Sequence, residues 1–393
     1  MAVYGIVAEY NPFHNGHLYQ INEIKKNDPE AEIVVAMSPN VVQRGDFALF
    51  DKWTRAKAAL LSGADLVLEI PSPFAVATAE KFALGAVKTL DTLGCVDYLC
   101  FGSESGSIDN IMAAAKLEQS EKVNLEIKEQ LSKGVTYAKA RSLAIEKTNK
   151  AAAESLNTPN DILGVEYLKA ISKIGSEIKP IAILREGVDH LSDIHNKSYA
   201  SASYIRENLT QNTIKEFCPQ FAAEVFALAI DEGCYSEGMS ALEKAVLLKL
   251  RTMTLDRIKN LPDVSEGLEN RIYRAAYKAT SLDGLLFEIK TKRYTMSRIR
   301  RILMYALLDF SRSEMPSNIA YVRVLGHNEK GLSIISKKTA KLPVVTSLAR
   351  AKEISDAAEF FAKTEEKCSS VFALTLKNSH TERNEFSTQP IRI

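Results

Sequence analysis

Long hydrophobic runs, cysteine pairs and net charge are all scarce in this chain of 393 residues. No apolar stretch approaches the ~20 residues of a membrane-spanning helix, and the N-terminus lacks the basic start and cleavage site of a signal peptide. The five cysteines are scattered and form no CxxC pair, which is not the spacing of a disulfide framework or a structural zinc site. We therefore expect a cytoplasmic globular protein with reduced thiols and no membrane contact.

The charge balance limits the kind of nucleic-acid contact that the chain could make. Fifty Lys and Arg residues face 49 Asp and Glu residues, which leaves a formal net charge of +1. Any nucleic acid must therefore be met by a local basic patch rather than by the surface as a whole. The chain is also too long for one ordinary core, so we predict two domains.

Short apolar runs alternate with helical patterns in the first half of the chain. The runs cover residues 4–9, 32–38, 64–70, 97–101 and 179–184. This alternation is typical of βαβ units and predicts an α/β fold with a Rossmann-like parallel sheet, whose ligands bind at the carboxyl ends of the strands.

The pattern changes near residue 210. Long helical segments are predicted at 214–231, 241–257 and 298–311, and two β-like runs lie at 321–325 and 343–347. We therefore place one domain at 1–210 and a second, mostly helical domain with a few strands at 211–393.

The most informative motif joins the first strand to the first helix. The chain there reads YGIVAEYNPFHNGHLYQ, with His14, Gly16 and His17 at the helix start. Free backbone N–H groups and the positive end of the helix dipole favour a phosphate at such a turn. Oriented imidazoles could stabilise charge as it moves onto bridging oxygens, and Gly16 would let a nucleotide approach closely. We predict His14 and His17 as catalytic residues at a nucleotide site.

Two other interpretations of the histidine pair stay open, namely a capped turn with incidental histidines and a metal-binding pair. A metal would need a third ligand. The other four histidines have no matching spacing, so we predict no metal held by these side chains. The residues in question are His190, His195, His327 and His380.

A serine-rich segment, SASYIR, is the second candidate. Ser201 and Ser203 precede or open a predicted helix whose first turn carries Arg206, and alone this is an ordinary N-cap. After a sheet that opens with HxGH, the segment resembles the second signature of the nucleotidyltransferase superfamily, which holds the outer phosphates of ATP. The resemblance implies that both serines contact ATP and that Arg206 is a catalytic residue that stabilises pyrophosphate.

The third candidate is the basic run at residues 290–301, KTKRYTMSRIRR, which has six cations and no acid. The apolar stripe of the following helix leaves Arg298 and Arg301 elsewhere. A solvated charged face is the alternative, but the absence of nearby acids favours a phosphate-rich partner, and RNA is the natural candidate. The residues predicted to contact RNA are Lys290, Lys292, Arg293, Arg298, Arg300 and Arg301.

Taken together, these motifs resemble the bacterial tRNA(Met) cytidine acetate ligase family over nearly the whole chain. The resemblance rests on EYNPFHNGH, VVQRGD, DKWTRA, GADLVLEIP, FGSE, TPNDILG, SASYIR, KRYTMSRIRR and RVLG. It implies that the protein activates acetate with ATP as acetyl-adenylate, with Mg²⁺ neutralising the pyrophosphate. The acetyl group would then pass to the wobble cytidine of elongator tRNA(Met), giving N(4)-acetylcytidine.

The resemblance also implies a set of ATP contacts. These are Val7, Ala8, Glu9, Tyr10, Asn11, Pro12, Phe13, His14, Asn15, Gly16, His17, Leu18, Tyr19, Gln20, Gly102, Asn160 and Arg185. One segment departs from the family pattern, because Pro39 and Val41 stand where a glycine and a phenylalanine are expected.

Two rival functions remain at this stage. An adenylyltransferase that acts on a phosphorylated small molecule would have a similar first domain, but it would not need about 180 further residues bearing a basic run. A catalytically silent RNA-binding protein would not need the intact histidine pair.

Overall fold

A computed structural model of the chain describes residues 1–185, 199–265, 267–337, 339–378 and 384–393. The strands are β1 (Val3–Ala8), β2 (Glu32–Met37), β3 (Val41–Val42), β4 (Asp46–Phe47), β5 (Leu66–Glu69), β6 (Tyr98–Ser103), β7 (Lys179–Leu184), β8 (Val322–His327), β9 (Val344–Val345) and β10 (Ile391–Arg392). The first helices are α1 (Asn15–Asn27), α2 (Lys52–Leu61), α3 (Ser72–Ala75), α4 (Ala79–Asp91), α5 (Ile108–Glu118), α6 (Glu121–Ser132), α7 (Tyr137–Glu146), α8 (Lys150–Glu154), α9 (Pro159–Ile174) and α10 (Ala202–Glu207). The later helices are α11 (Gln211–Phe217), α12 (Gln220–Asp231), α13 (Glu243–Thr252), α14 (Leu255–Lys259), α15 (Leu268–Lys278), α16 (Leu282–Ile289), α17 (Met296–Leu307), α18 (Glu329–Ser336), α19 (Ala351–Ile354) and α20 (Asp356–Ala373), with 3₁₀ turns at Gly238–Leu242 and Arg312–Glu314.

The central sheet has eight strands in the order β10-β8-β5-β2-β1-β6-β7, with β9 paired to β8. Strands β5, β2, β1, β6 and β7 run parallel to one another, and β8 runs antiparallel to β5. Every residue of β2 is buried, as expected for a parallel strand covered on both faces. The five predicted strands and the α/β fold are therefore confirmed.

Local sequence signals account for both ends of helix α2. Asp51 caps helix α2 by accepting a hydrogen bond from the Thr54 N–H at 2.6 Å, and Gly63, at φ +109°, follows the helix. Two of the three long helices predicted in the second half are interrupted, however, whereas the third is the single helix α17. Cys218 and Pro219 separate α11 from α12, because proline lacks the N–H that would continue the first helix.

Both halves of the chain contribute to the sheet. The predicted strands of the second half are present as β8 and β9, and β8 lies beside β5 rather than in a separate body. A buried ion cluster joins the same elements, since Arg323 of β8 lies 3.1 Å from Glu69 of β5, and Lys52 lies 2.9 Å from Glu385. The division into two domains at residue 210 stays a prediction.

None of the described helices is both long and apolar enough to cross a membrane. All five cysteines are free thiols, of which Cys100, Cys218 and Cys368 are buried.

Candidate functional site

The start of helix α1 is organised by its two histidines. His14 is the N-cap residue, and its Nδ1 accepts a hydrogen bond from the Gly16 N–H at 3.1 Å. The Nδ1 of His17 accepts one from the His14 N–H at 3.1 Å, which completes a capping box. The two rings stack with their centroids 3.9 Å apart. The two histidines that the sequence predicts to be functional are therefore also the residues that cap the helix.

These hydrogen bonds fix the tautomer of each ring. An imidazole nitrogen that accepts from a backbone N–H carries no proton, so in the neutral ring the proton lies on Nε2. Burial lowers the pKa of His17 well below its usual range, and the charges of His14 and Arg185 act in the same direction. His17 is therefore neutral at physiological pH, and it presents an Nε2–H donor.

An apolar wall lies behind the histidines. The rings of Tyr10 and Phe13 lie 4.7 Å apart, and that of Tyr10 lies 4.8 Å from His17. Both aromatic side chains are almost completely buried. They restrict the imidazole of His17 to one orientation, which a donor to a developing charge requires.

Gly16 has a different role from the one that the sequence suggests. A Cβ at this position would lie 2.9 Å from the Cε1 of His14, so a side chain here would displace that ring. The glycine leaves room for the capping histidine, and this close contact accounts for it without a nucleotide.

A cavity of about 370 Å³ opens beside this turn, at the carboxyl ends of the parallel strands. It brings together thirteen of the residues predicted at the ATP site. They are Val7, Ala8, Glu9, Tyr10, Asn11, His14, His17, Gln20, Gly102, Asn160, Arg185, Ser201 and Arg206. The remaining predicted residues do not line it; they are Pro12, Phe13, Asn15, Gly16, Leu18, Tyr19 and Ser203.

Arg206 crosses from its helix to the β1–α1 turn. Its Nη1 donates to the carbonyl of Asn11 at 2.7 Å, and its Nη2 donates to the Ser203 hydroxyl at 3.1 Å. Arg206 lies in the last turn of a six-residue helix, not in the first turn as predicted. Ser201 is the N-cap and accepts from the Tyr204 N–H at 3.1 Å, so the ordinary capping role also holds. Burial lowers the pKa of Arg206 and Glu9 opposes this, yet a guanidinium stays charged at neutral pH.

Two motifs of the opposite wall hold each other through a carboxylate. The Nδ2 of Asn160 donates to Glu104 at 2.6 Å, and the Asp161 N–H donates to the same carboxylate at 3.2 Å. Gly102 lies against Arg185, because a Cβ there would be 3.2 Å from the arginine Cγ. The FGSE and TPNDILG motifs thus form one wall that presents Asn160 and Arg185 to the cavity.

Some residues of the cavity were not assigned a role from the sequence. Gln43 and Arg44 enter from the VVQRGD motif. An apolar side is formed by Ala79, Phe82, Phe101, Ile162, Leu163 and Tyr167. No signal of local spacing could have found these apolar residues, since they come from separate elements and resemble ordinary core positions.

The arginine of the DKWTRA motif holds backbone segments next to the cavity. Arg55 is fully buried and donates to the carbonyls of Glu9 at 2.6 Å, Ser38 at 3.0 Å and Phe50 at 2.9 Å, and also to that of Pro39. Burial lowers its pKa to about 10, so it remains a cation at neutral pH. Because the partner at position 39 is a carbonyl, the departure from the family pattern at Pro39 leaves this contact in place.

The three arginines at the end of the basic run form hydrogen bonds and ion pairs within the protein. Arg301 is buried, contrary to the prediction from the helical stripe, and its Nε lies 2.7 Å from a carboxylate oxygen of Asp263. Arg298 donates to the carbonyl of Asp263 at 2.9 Å and stacks over Tyr294. Arg300 pairs with Asp46 at 2.7 Å. Acids distant in sequence therefore compensate the run.

The first half of the run is exposed. Lys290 donates to the carbonyl of Tyr294 at 2.8 Å, and the side chains of Lys292 and Arg293 are exposed. The run also lies close to the cavity of about 370 Å³, because Gly45 follows the cavity residue Arg44 and a Cβ on Gly45 would be 2.3 Å from the backbone nitrogen of Arg301. Gly45 adopts φ +79°, which favours glycine on its own account.

Comparison with known proteins gives one consistent result. A family model described as HIGH Nucleotidyl Transferase matches residues 1–387. The chain is 38% identical over 393 residues to a tRNA(Met) cytidine acetate ligase of Thermoanaerobacter sp. (strain X514), with 96% of each protein covered. It is also 38% identical over 400 residues to that of Caldanaerobacter subterraneus subsp. tengcongensis, with 98% of each covered. The chain belongs to the tRNA(Met) cytidine acetate ligase family.

Solved structures agree with this membership of the tRNA(Met) cytidine acetate ligase family. The apo crystal structure of Thermotoga maritima TmcAL superposes with a TM-score of 0.94 at 32% identity, covering all of both chains. The same protein bound with alpha-thio ATP gives a TM-score of 0.91 at 32% identity, covering 100% of this chain and 99% of that one. The predicted family and fold are confirmed, while the individual ATP and RNA contacts stay predictions.

Proposed function

We propose that this protein activates acetate with ATP and transfers the acetyl group to the wobble cytidine of elongator tRNA(Met). The observation that carries the proposal is the cavity in which two Nε2–H donors, Arg206 and Arg185 converge beside the N-terminus of helix α1. Four donors and a helix N-terminus in one concave site suit a triphosphate. The names of the relatives supply the acetate and the tRNA.

In the first step, an acetate oxygen attacks the α-phosphorus of ATP, and the bond to the pyrophosphate oxygen breaks. Charge grows on the non-bridging and leaving oxygens as this occurs. The imidazole donors of His14 and His17 and the guanidinium of Arg206 would stabilise that charge, because their orientation is fixed before ATP binds. The products are acetyl-adenylate and pyrophosphate.

A magnesium ion would accompany the nucleotide and neutralise charge on the pyrophosphate. Within the described residues, no group of three His, Cys, Asp or Glu side chains could hold a metal. The chain is therefore suited to an ion that arrives on the phosphates with most of its water ligands, as Mg²⁺ usually does.

The second step needs RNA beside the same cavity. The exposed Lys292 and Arg293 would contact phosphates, while Arg298, Arg300 and Arg301 hold helix α17 against its neighbours. The anticodon loop is single-stranded, so its wobble base can leave the stack without melting a duplex.

The experiment combines two readouts on the full chain. Acetate-dependent exchange of pyrophosphate into ATP measures activation, and nucleoside mass spectrometry after incubation with ATP, labelled acetate and bulk tRNA measures transfer. We expect exchange only with acetate and label only in N(4)-acetylcytidine. Exchange that requires a phosphorylated small molecule would support an adenylyltransferase, and the absence of labelled cytidine would refute the ligase.

A further inference from the structure

A second cavity meets the first one at Glu9. It has a volume of about 570 Å³ and lies between the β3–β4 loop, the segment at 235–238 and the start of helix α17. Glu9, Asn11, Arg44 and Arg206 line both cavities. The far wall carries Met296, Ser297 and Arg300 and thus belongs to the basic run. The second cavity therefore connects the predicted RNA surface with the ATP cavity.

The side chain of Glu9 is held in place at this junction. Its Oε1 accepts from the Gln43 N–H at 2.8 Å, and its backbone carbonyl accepts from Arg55 at 2.6 Å. Among the described residues, no hydrogen-bond donor contacts the other carboxylate oxygen. One oxygen is thus fixed, and the second can receive a hydrogen bond from a substrate.

The other titratable side chains near the junction are unsuited to accept a proton. His14 and His17 use their unprotonated Nδ1 atoms in the capping box and present only donors. Asp46 is paired with Arg300 and accepts from the Met239 N–H at 2.8 Å, and Glu237 is paired with Lys377. Among the described residues, Glu9 is the only carboxylate that lines the ATP cavity.

We propose that Glu9 is the general base that accepts the proton of the cytidine amine, with the base entering through the second cavity. This inference rests on the proposed function. A carboxylate is the natural hydrogen-bond acceptor for the N4 amine of cytosine. Uridine has a carbonyl oxygen at this position and would be repelled, so the same contact contributes to the choice of base.

The transfer step forms one bond, breaks one bond and moves one proton. The N4 lone pair forms a bond to the acetyl carbonyl carbon, and one N4 proton moves to the free oxygen of Glu9. The bond between that carbon and the adenylate oxygen breaks, and its electron pair leaves on AMP. The products are N(4)-acetylcytidine, AMP and a proton, which Glu9 returns to solvent.

Glu9→Gln tests this role, because glutamine keeps the size and can still accept from the Gln43 N–H. Hydroxylamine serves as a second acceptor, since this stronger nucleophile attacks acetyl-adenylate without a base and gives acetohydroxamate. We expect acetyl transfer to tRNA to fall about 10²- to 10³-fold more than hydroxamate formation, in line with the usual effect of general bases. Glu9→Asp should recover part of the difference.

Glu207→Gln is the matched control, because Glu207 neighbours Arg206 and lies outside both cavities. Equal losses of transfer and hydroxamate in Glu9→Gln would overturn the proposal and indicate a role in ATP binding. Full transfer in Glu9→Gln would overturn it as well. Failure of the proposed function is distinguishable, since the unaltered chain would then form neither hydroxamate nor acetylcytidine.

Discussion

Helices α1 and α17 both begin with hydrogen-bond donors, but contacts of very different range hold these donors in place. The His14–His17 cap is closed by hydrogen bonds between residues two and three positions apart. Arg300 and Arg301 are instead held by Asp46 and Asp263, which are 254 and 38 positions away. The cap formed by His14 and His17 lies within the nine-residue motif EYNPFHNGH, so it can be inferred from that motif alone. The ion pairs of Arg300 and Arg301 depend on the fold. A basic run in a sequence therefore does not tell which of its cations are available to RNA.

The largest effect is expected from a substitution that separates the capping role of His17 from its catalytic role. His17→Asn places an amide oxygen where the imidazole Nδ1 lies, so the hydrogen bond from the His14 N–H can be kept while the Nε2–H donor is lost. We expect acetate-dependent pyrophosphate exchange to fall about 10²- to 10³-fold, as when one donor to a developing oxyanion is removed.

The thermal midpoint of His17→Asn should stay close to that of the unaltered chain. His17→Ala, which loses both the cap and the donor, should be less stable by about 1 kcal/mol. Full exchange activity in His17→Asn would mean that the histidine serves only as a cap.

Arg301→Met tests the ion pair between Arg301 and Asp263. This change leaves the carboxylate of Asp263 without its cation in a mostly buried position. We expect the free energy of unfolding to fall by about 3 kcal/mol, as measured by urea denaturation, because an unpaired buried charge is costly. The second change in Arg301→Met/Asp263→Asn should restore part of this loss, and the left-handed φ of 62° at position 263 is compatible with asparagine.

A normal stability together with weak tRNA binding in Arg301→Met would contradict this assignment. It would instead place Arg301 in the RNA surface, as the sequence alone suggests.

Gly16→Ala tests how closely the His14 ring must be placed. The added Cβ would lie 2.9 Å from the His14 ring, which must move to make room. We expect pyrophosphate exchange to fall at least about tenfold, since displacement of a catalytic group by a fraction of an ångström is costly. Stability should not fall in proportion, because alanine favours a helix over glycine by up to about 1 kcal/mol. Normal exchange would show that the His14 ring tolerates the shift.

The range of contacts also explains what the sequence predicts about the fold. Strands β1, β2, β5, β6 and β7 are all predicted, because hydrophobic periodicity acts within a few residues. The pattern at 321–325 predicts a strand as well, but not that β8 pairs antiparallel with β5. Periodicity carries no information about a partner some 250 residues away.

The same limit applies to the candidate site. The histidines, Asn160, Arg185 and Arg206 are found through motifs, and the structure brings them to one cavity. The apolar residues Phe82 and Tyr167 carry no motif of their own. Glu9 lines both cavities only because of where the β3–β4 loop and helix α17 lie. The positions of these two segments are set by packing between parts of the chain that are distant in sequence.

The smallest expected effect concerns the exposed part of the basic run. Lys292→Gln/Arg293→Gln removes two exposed cations, and substitutions at exposed positions usually change the free energy of unfolding by less than about 0.5 kcal/mol. If both side chains contact phosphates, the slope of log Kd for tRNA against log salt concentration should decrease in magnitude by about 1.4, since each contact with single-stranded RNA contributes about 0.7. Lys122→Gln/Lys128→Gln removes two exposed cations of helix α6, and it is the matched control for net charge. An equal change of slope in both double variants would mean that tRNA senses the overall charge of the protein, and that residues 290–301 form no RNA surface of their own.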